Sequence, residues 1–170
     1  SAKRWPADRF GSVARALAQA GCRVVLVGDL TDSLVVAGVK ESAGTTVVDV
    51  SGRSDLATLA AIIERADAYL GNDSVPLHLA VAMGTPAVAL YGPTDPRVYG
   101  PYAAPTGPYV GRGVALVSPH ACSQVRAFRA GPIEACPECR CIDAIAPSDA
   151  LRAIMSLIDL RREAKDTPPH

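Results

Sequence analysis

Between residues 8 and 20 the apolar positions Phe10, Val13, Ala14, Leu17 and Ala18 return every three or four residues, and Gly21 follows. That period predicts an amphipathic helix with a glycine just past its end. Residues 23–27, Arg-Val-Val-Leu-Val, form a continuous β-branched run that stops at Gly28. Such a run predicts a strand covered on both faces, as in a parallel sheet. The cycle then repeats. A weaker helix is expected over 31–39, a short strand over 46–50, a strong helix over 56–66 and a strand over 68–71. A helix over 75–83, closed by Gly84, leads to a strand over 86–91. The stretch 92–113 holds many prolines and glycines and is too long for an ordinary connection, so a shaped loop is expected. A strand over 114–117, a cysteine-rich excursion over 119–141 and a helix over 148–163 complete the order. Ser148 is the expected N-cap of that helix, with Leu151, Ile154, Met155 and Ile158 as its buried stripe.

Strands and helices alternating through short connections predict an α/β fold, a Rossmann-like doubly wound parallel sheet with helices on both faces. Residues 1–164 read as one domain and 165–170 as a flexible tail. Ligands of such a sheet sit beyond the carboxyl ends of its strands. Composition narrows the class further. The 170 residues are 49% hydrophobic and 20% charged, with 17 Lys and Arg against 17 Asp and Glu. This suits an aliphatic core and gives no net field to hold a polyanion, so no nucleic-acid partner is expected. No apolar run approaches the ~18 residues of a membrane span, and the first residues carry no signal-peptide core. A cytoplasmic protein is expected.

Four segments fall where strands should end. Gly71-Asn72-Asp73-Ser74-Val75-Pro76-Leu77-His78 opens a helix: Asn72, Asp73 or Ser74 can cap it, Pro76 suits its first turn, and its N-terminus attracts anions. Asp73 can accept hydrogen bonds from sugar hydroxyls, though the same residues also make an ordinary helix cap, and His78 one turn on also reads as a packed or surface histidine. Tyr91-Gly92-Pro93-Thr94-Asp95-Pro96 ends the adjacent strand and brings a hydroxyl and a carboxylate to the same rim. Gly28-Asp29-Leu30-Thr31-Asp32 is an acidic loop of the kind that grips a ribose diol. Lys3-Arg4-Trp5-Pro6 precedes the first helix; the lysine can serve phosphate as a point charge while Trp5 and Pro6 anchor the backbone. No Gly-x-Gly-x-x-Gly and no P-loop follows any strand, which argues against a dinucleotide oxidoreductase or an NTPase.

In order and spacing these segments resemble the C-terminal domain of the heptosyltransferases, glycosyltransferase family 9, over residue 3 to about residue 101. The resemblance rests on Lys-x-Trp-Pro, Gly28 with an acid four residues on, Gly-x-Ser-Asp-Leu from Gly52 to Leu56, Asn-Asp-Ser-x-Pro-x-His-x-Ala from Asn72 to Ala80, and Gly-Pro-Thr-Asp-Pro. It implies half of a GT-B fold, in which two Rossmann-like domains face each other and the C-terminal one holds the nucleotide sugar. Carried over, Lys3 neutralises the diphosphate, Asp32 bonds the ribose and Ser54, Asp55 and Leu56 border the adenine. Asp73 binds the transferred sugar, backbone N–H groups around Ser74 and Val75 face the phosphates, and His78, Thr94 and Asp95 complete the rim. The implied reaction moves heptose or a related sugar from an ADP-sugar to a lipopolysaccharide inner-core acceptor, at the cytoplasmic face of the inner membrane. The lipid-linked acceptor and the catalytic base belong to an N-terminal domain outside this sequence, so no catalytic residue is expected here and the fragment alone should be inactive. No cofactor is required for transfer. A catalytically inactive nucleotide- or sugar-binding module is the alternative, and a GT-B epimerase fits the motif order less well.

Two departures bear on this. Val75 stands where the family usually has glycine, so a β-branched side chain occupies a place where backbone must approach the ligand. The strand and glycine turn that usually precede the lysine motif are also missing, so the sheet should lack its usual first strand. The cysteines pose a separate question. Cys122, Cys136, Cys139 and Cys141 include a Cys-x-x-Cys, but the 13 residues between Cys122 and Cys136 and the closing Cys-x-Cys match no common zinc spacing. Both a structural zinc and thiols that pack a loop remain open.

Overall fold

The computed structural model describes residues 3–44, 47–100, 113–119 and 141–166. Helices and parallel strands alternate through most of its length: α1 (Ala7–Gln19), β1 (Val25–Leu26), α2 (Ser33–Ala43), β2 (Val48–Asp49), α3 (Leu56–Arg65), β3 (Tyr69–Asn72), α4 (Val75–Ala82), β4 (Ala87–Tyr91), α5 (Pro96–Tyr99), β5 (Gly113–Val117) and α6 (Pro147–Asp166). Short 3-10 turns precede α2 at Leu30–Asp32 and α6 at Cys141–Ala144. The expected α/β alternation is present, and among the described residues every strand pair is parallel.

The strands form two sheets among the described residues, β1–β2 and β3–β4–β5, where one sheet was expected. The run 23–27 does not become the fully covered strand its composition suggested. Only Val25–Leu26 pair, on one side, and Val25 remains 39% exposed.

β4 is the middle of its sheet and is buried along its whole length. Its side chains alternate between two cores. Val88 and Leu90 face a cluster with Trp5, Val13, Leu17, Ile142, Ile154 and Ile158, while Ala87, Ala89 and Tyr91 face Ile63, Leu77 and Ala80. Thus α1 and α6 cover one face and α3 and α4 the other, as a doubly wound sheet requires. α1 lies flat on α2 because Gly11 has no side chain. A Cβ there would stand 2.8 Å from the Val39 carbonyl oxygen and 2.9 Å from the Ala43 nitrogen.

α6 starts at Pro147, so Ser148 lies inside the first turn and is not the N-cap; the fixed φ of proline suits that first position. The stripe turns slightly from the expected one. Ala150, Ile154, Leu157 and Ile158 are buried, whereas Leu151 and Met155 pack at its margin. The helix also runs two residues into the stretch read as a tail. The loop expected over 92–113 contains the single turn α5, and its residues 101–112 lie outside the described residues.

Candidate functional site

Lys3, Arg4 and Trp5 run across the carboxyl ends of both sheets. Trp5 is fully buried: its Nε1 donates to the Ile145 carbonyl at 3.1 Å, and its ring meets Phe10 edge-on at 4.9 Å. Its backbone N–H donates to Asn72 Oδ1 at 3.0 Å, tying the segment to the end of β3. The anchor expected of Trp5 is therefore present. It holds Lys3 where Nζ reaches Asp73 Oδ2 at 2.9 Å, and Asp73 Oδ1 lies 3.9 Å from His78 Nε2. The Asp73 side chain is only 5% exposed, and Lys3 is its ion-pair partner there. Residues separated by 70 positions thus form one cluster.

Arg4 points the other way, with Nη2 2.6 Å from Asp32 Oδ1 at the end of β1. The second Asp32 oxygen accepts the Asp29 N–H at 3.3 Å. Asp29 itself accepts from the Thr31 N–H and hydroxyl, and these bonds hold its carboxyl below the usual range. Asp29 and Asp32 together close the turn, and Asp32 is also the acid paired with the exposed Arg4. Arg4 occupies the variable position of Lys-x-Trp-Pro, and sequence reasoning passed over it. The adjacent pair of cations was the available signal.

The helix opening at β3 differs in detail from its expected cap. Ser74 is the N-cap residue, but its hydroxyl donates to the Asn72 carbonyl at 3.2 Å and makes no capping bond. Beneath it lies Tyr69, also missed from the sequence, whose hydroxyl hydrogen-bonds with Ser74; burial pushes its phenol up to about 12. Tyr69, Gly71 and Asp73 alternate onto one face, and a Cβ at Gly71 would collide with the Tyr69 ring. The Val75 side chain is 60% exposed, so it stands on the rim and not in the core.

The remaining candidates divide. Asp55 accepts the Thr58 N–H at 2.8 Å and caps α3, with Ser54 before it and Leu56 exposed after it. Asp95 caps α5 and is gripped by the Arg97 guanidinium, the shortest contact being 2.7 Å. The Thr94 hydroxyl is not offered to the rim as expected. Thr94 is 1% exposed, and its Oγ1 is enclosed with no hydrogen-bond partner among the described residues. Of the cysteines weighed as zinc ligands, Cys122, Cys136 and Cys139 lie outside the described residues, and Cys141 is half-buried in the 3-10 turn before α6. Among the described residues no group of three His, Cys, Asp or Glu side chains is placed to hold a metal, and no helix is long and apolar enough to cross a membrane.

A shallow cavity of about 310 Å³ beside α2 and β2, lined by Ser33, Val36, Lys40, Asp49 and Ser51, was not foreseen. Lys40 and Ser51 both bond Asp49 across it and lower its pKa, the Ser51 bonds being the larger cause.

A paired lysine and buried aspartate, a second arginine–aspartate pair and a helix N-terminus on one rim suit a ligand with both phosphates and hydroxyls. The family model described as glycosyltransferase family 9 (heptosyltransferase) matches residues 1–110. This chain belongs to that family. The family 9 chain is 32% identical over 100 residues to lipooligosaccharide heptosyltransferase 2 of Haemophilus influenzae, covering 56% of this chain and 29% of that protein. It therefore spans less than a third of that curated relative. Among solved structures it superposes on the family 9 glycosyltransferase of Veillonella parvula with a TM-score of 0.78 and 29% identity, over 94% of this chain and 43% of that one. The ADP-heptose lipopolysaccharide heptosyltransferase II of E. coli shares the fold, with a TM-score of 0.70 and 24% identity over 95% of this chain and 44% of that one. These likenesses bear out the Rossmann-like half of a GT-B transferase.

Proposed function

We propose that this family 9 chain is the donor-binding part of a glycosyltransferase that moves heptose or a related sugar from an ADP-sugar to a lipopolysaccharide inner-core acceptor at the cytoplasmic face of the inner membrane. The observation that carries this reading is the Lys3–Asp73 pair, a cation and an acid held 2.9 Å apart at the end of β3 in a family 9 chain. Lys3 meets the diphosphate, and the N-terminal end of α4, at Ser74 and Val75, adds the positive end of its dipole. As the sugar–phosphate bond breaks, negative charge grows on the leaving nucleoside diphosphate, and prearranged positive groups stabilise it without a metal. Asp73 bonds hydroxyls of the transferred sugar, with His78 beside it. Asp32 takes the ribose and residues 54–56 border the base. Thr94 and Asp95 shape the adjoining loop. The catalytic base and the acceptor site lie in a second domain, so this part alone transfers nothing. The exposed Val75 favours a second reading, a binding module without transferase activity, because its side chain stands where phosphate oxygens would approach the backbone.

Calorimetric titration tests the assignment. The chain should bind ADP and ADP-heptose, and Asp73→Asn should weaken ADP-heptose about tenfold more than ADP, the worth of one or two charge-assisted hydrogen bonds. Equal losses for the two ligands would remove Asp73 from the sugar site.

A further inference from the structure

The two cations of the crossing segment are not equally committed. Asp73 is almost enclosed at 5% side-chain exposure, so parting it from Lys3 strands a buried charge. Arg4 and Asp32 are 42% and 28% exposed, and an ion pair in such water contact is worth no more than about fivefold in an equilibrium. A ligand hydroxyl pair can replace Arg4 on Asp32 at small cost. Asp29 is the lesser rival for Arg4, since its Oδ1 already accepts from the Thr31 N–H and hydroxyl. Once displaced, the guanidinium sits one residue from Lys3, and its planar fork suits the oxygens of a diphosphate better than a second ammonium would.

We propose that Arg4 is a donor-binding residue that exchanges partners: it holds Asp32 in the empty site, yields it to the ribose diol of a nucleoside diphosphate, and turns to the phosphates beside Lys3. This rests on the donor-site reading above. The exchange couples the two halves of the ligand, because the diol frees the cation and the phosphates keep it from returning.

The experiment measures affinities of ADP and of dideoxy-ADP, which lacks both ribose hydroxyls, for the full chain and for Arg4→Ala and Arg4→Lys. In the unsubstituted chain, loss of the diol should cost only about threefold, because Arg4 returns to Asp32. In Arg4→Ala that cost should rise to about tenfold or more, since no cation then returns to the Asp32 oxygen that Arg4 held, while ADP itself binds about tenfold more weakly. Arg4→Lys should recover only part of the ADP affinity. The exchange is overturned if the diol cost is the same with and without Arg4, or if ADP affinity ignores Arg4. If ADP and dideoxy-ADP bind alike to every variant, Asp32 does not contact ribose and the proposal falls with that assignment. Absence of ADP binding by the unsubstituted chain overturns the donor-site reading itself.

Discussion

Replacing Tyr69 by phenylalanine separates what its ring does from what its hydroxyl does. Tyr69 opens β3, its ring packs beside Ala87, Ala89 and Tyr91, and its hydroxyl bonds Ser74 under the loop that carries Asp73. Burial pushes the phenol from its ordinary 10 up to about 12. Because the folded value is the higher one, the native state holds the proton more tightly. Its contribution is complete below about pH 10 and is lost as the pH climbs through about 12. Two pH units correspond to roughly 2.7 kcal/mol in the limit, of which about 2 kcal/mol is gone by pH 12. Tyr69→Phe has no proton to lose. Near pH 8 it should be the less stable protein by about 1 kcal/mol, for the missing hydrogen bond. Near pH 12 the order should reverse by about the same amount. Urea denaturation of both proteins across this range, with tyrosinate absorbance to follow ionisation, measures the crossing. A stability difference that stays constant to within about 0.5 kcal/mol from pH 9 to 12 would show that the phenol titrates in water, and the enclosed floor under Ser74 would have to be given up.

Two further substitutions probe the packing around the site. Gly11→Ala gains about 1 kcal/mol of helix propensity but drives a methyl into the backbone of α2, so a net loss of about 1–3 kcal/mol is expected in thermal denaturation; a more stable protein would mean that α1 and α2 do not touch at Gly11. Thr94→Val replaces an enclosed hydroxyl that has no partner among the described residues and should stabilise the chain by about 1 kcal/mol. A loss of that size instead would reveal a bound water or another partner on Oγ1.

The sequence made most of the order of elements legible because apolar period and glycine punctuation are local signals. α1, α3 and α4 each lie within two residues of their expected bounds, and β4, read as 86–91, runs Ala87–Tyr91. The failures come from what a period cannot encode. Residues 23–27 carry the composition of a covered strand, but coverage depends on a neighbour, and among the described residues β1 pairs only with β2. Ser148 has the side chain of a cap, but Pro147, suited to the first helical position, stands just before it and starts α6. The place of Thr94 after a strand suits an available hydroxyl, yet exposure is set by tertiary packing and Thr94 is buried.

The candidate site shows the same division. Trp5 could be expected to anchor the segment, and Lys3 and Asp73 could be named from the motifs, but their pairing across 70 residues is a product of the fold. Arg4 and Tyr69 went unmarked because an arginine in a variable position reads as a solvated charge and a tyrosine in a strand reads as core. With them included, the zero net charge takes on a local meaning. Lys3 is matched by Asp73 and Arg4 by Asp32, so each of these cations is already paired with an acid. A diphosphate must then be accommodated by regrouping charges already present, and the cost of that regrouping is set by burial. The pair with the enclosed acid holds its geometry, and the pair in water is the one free to exchange.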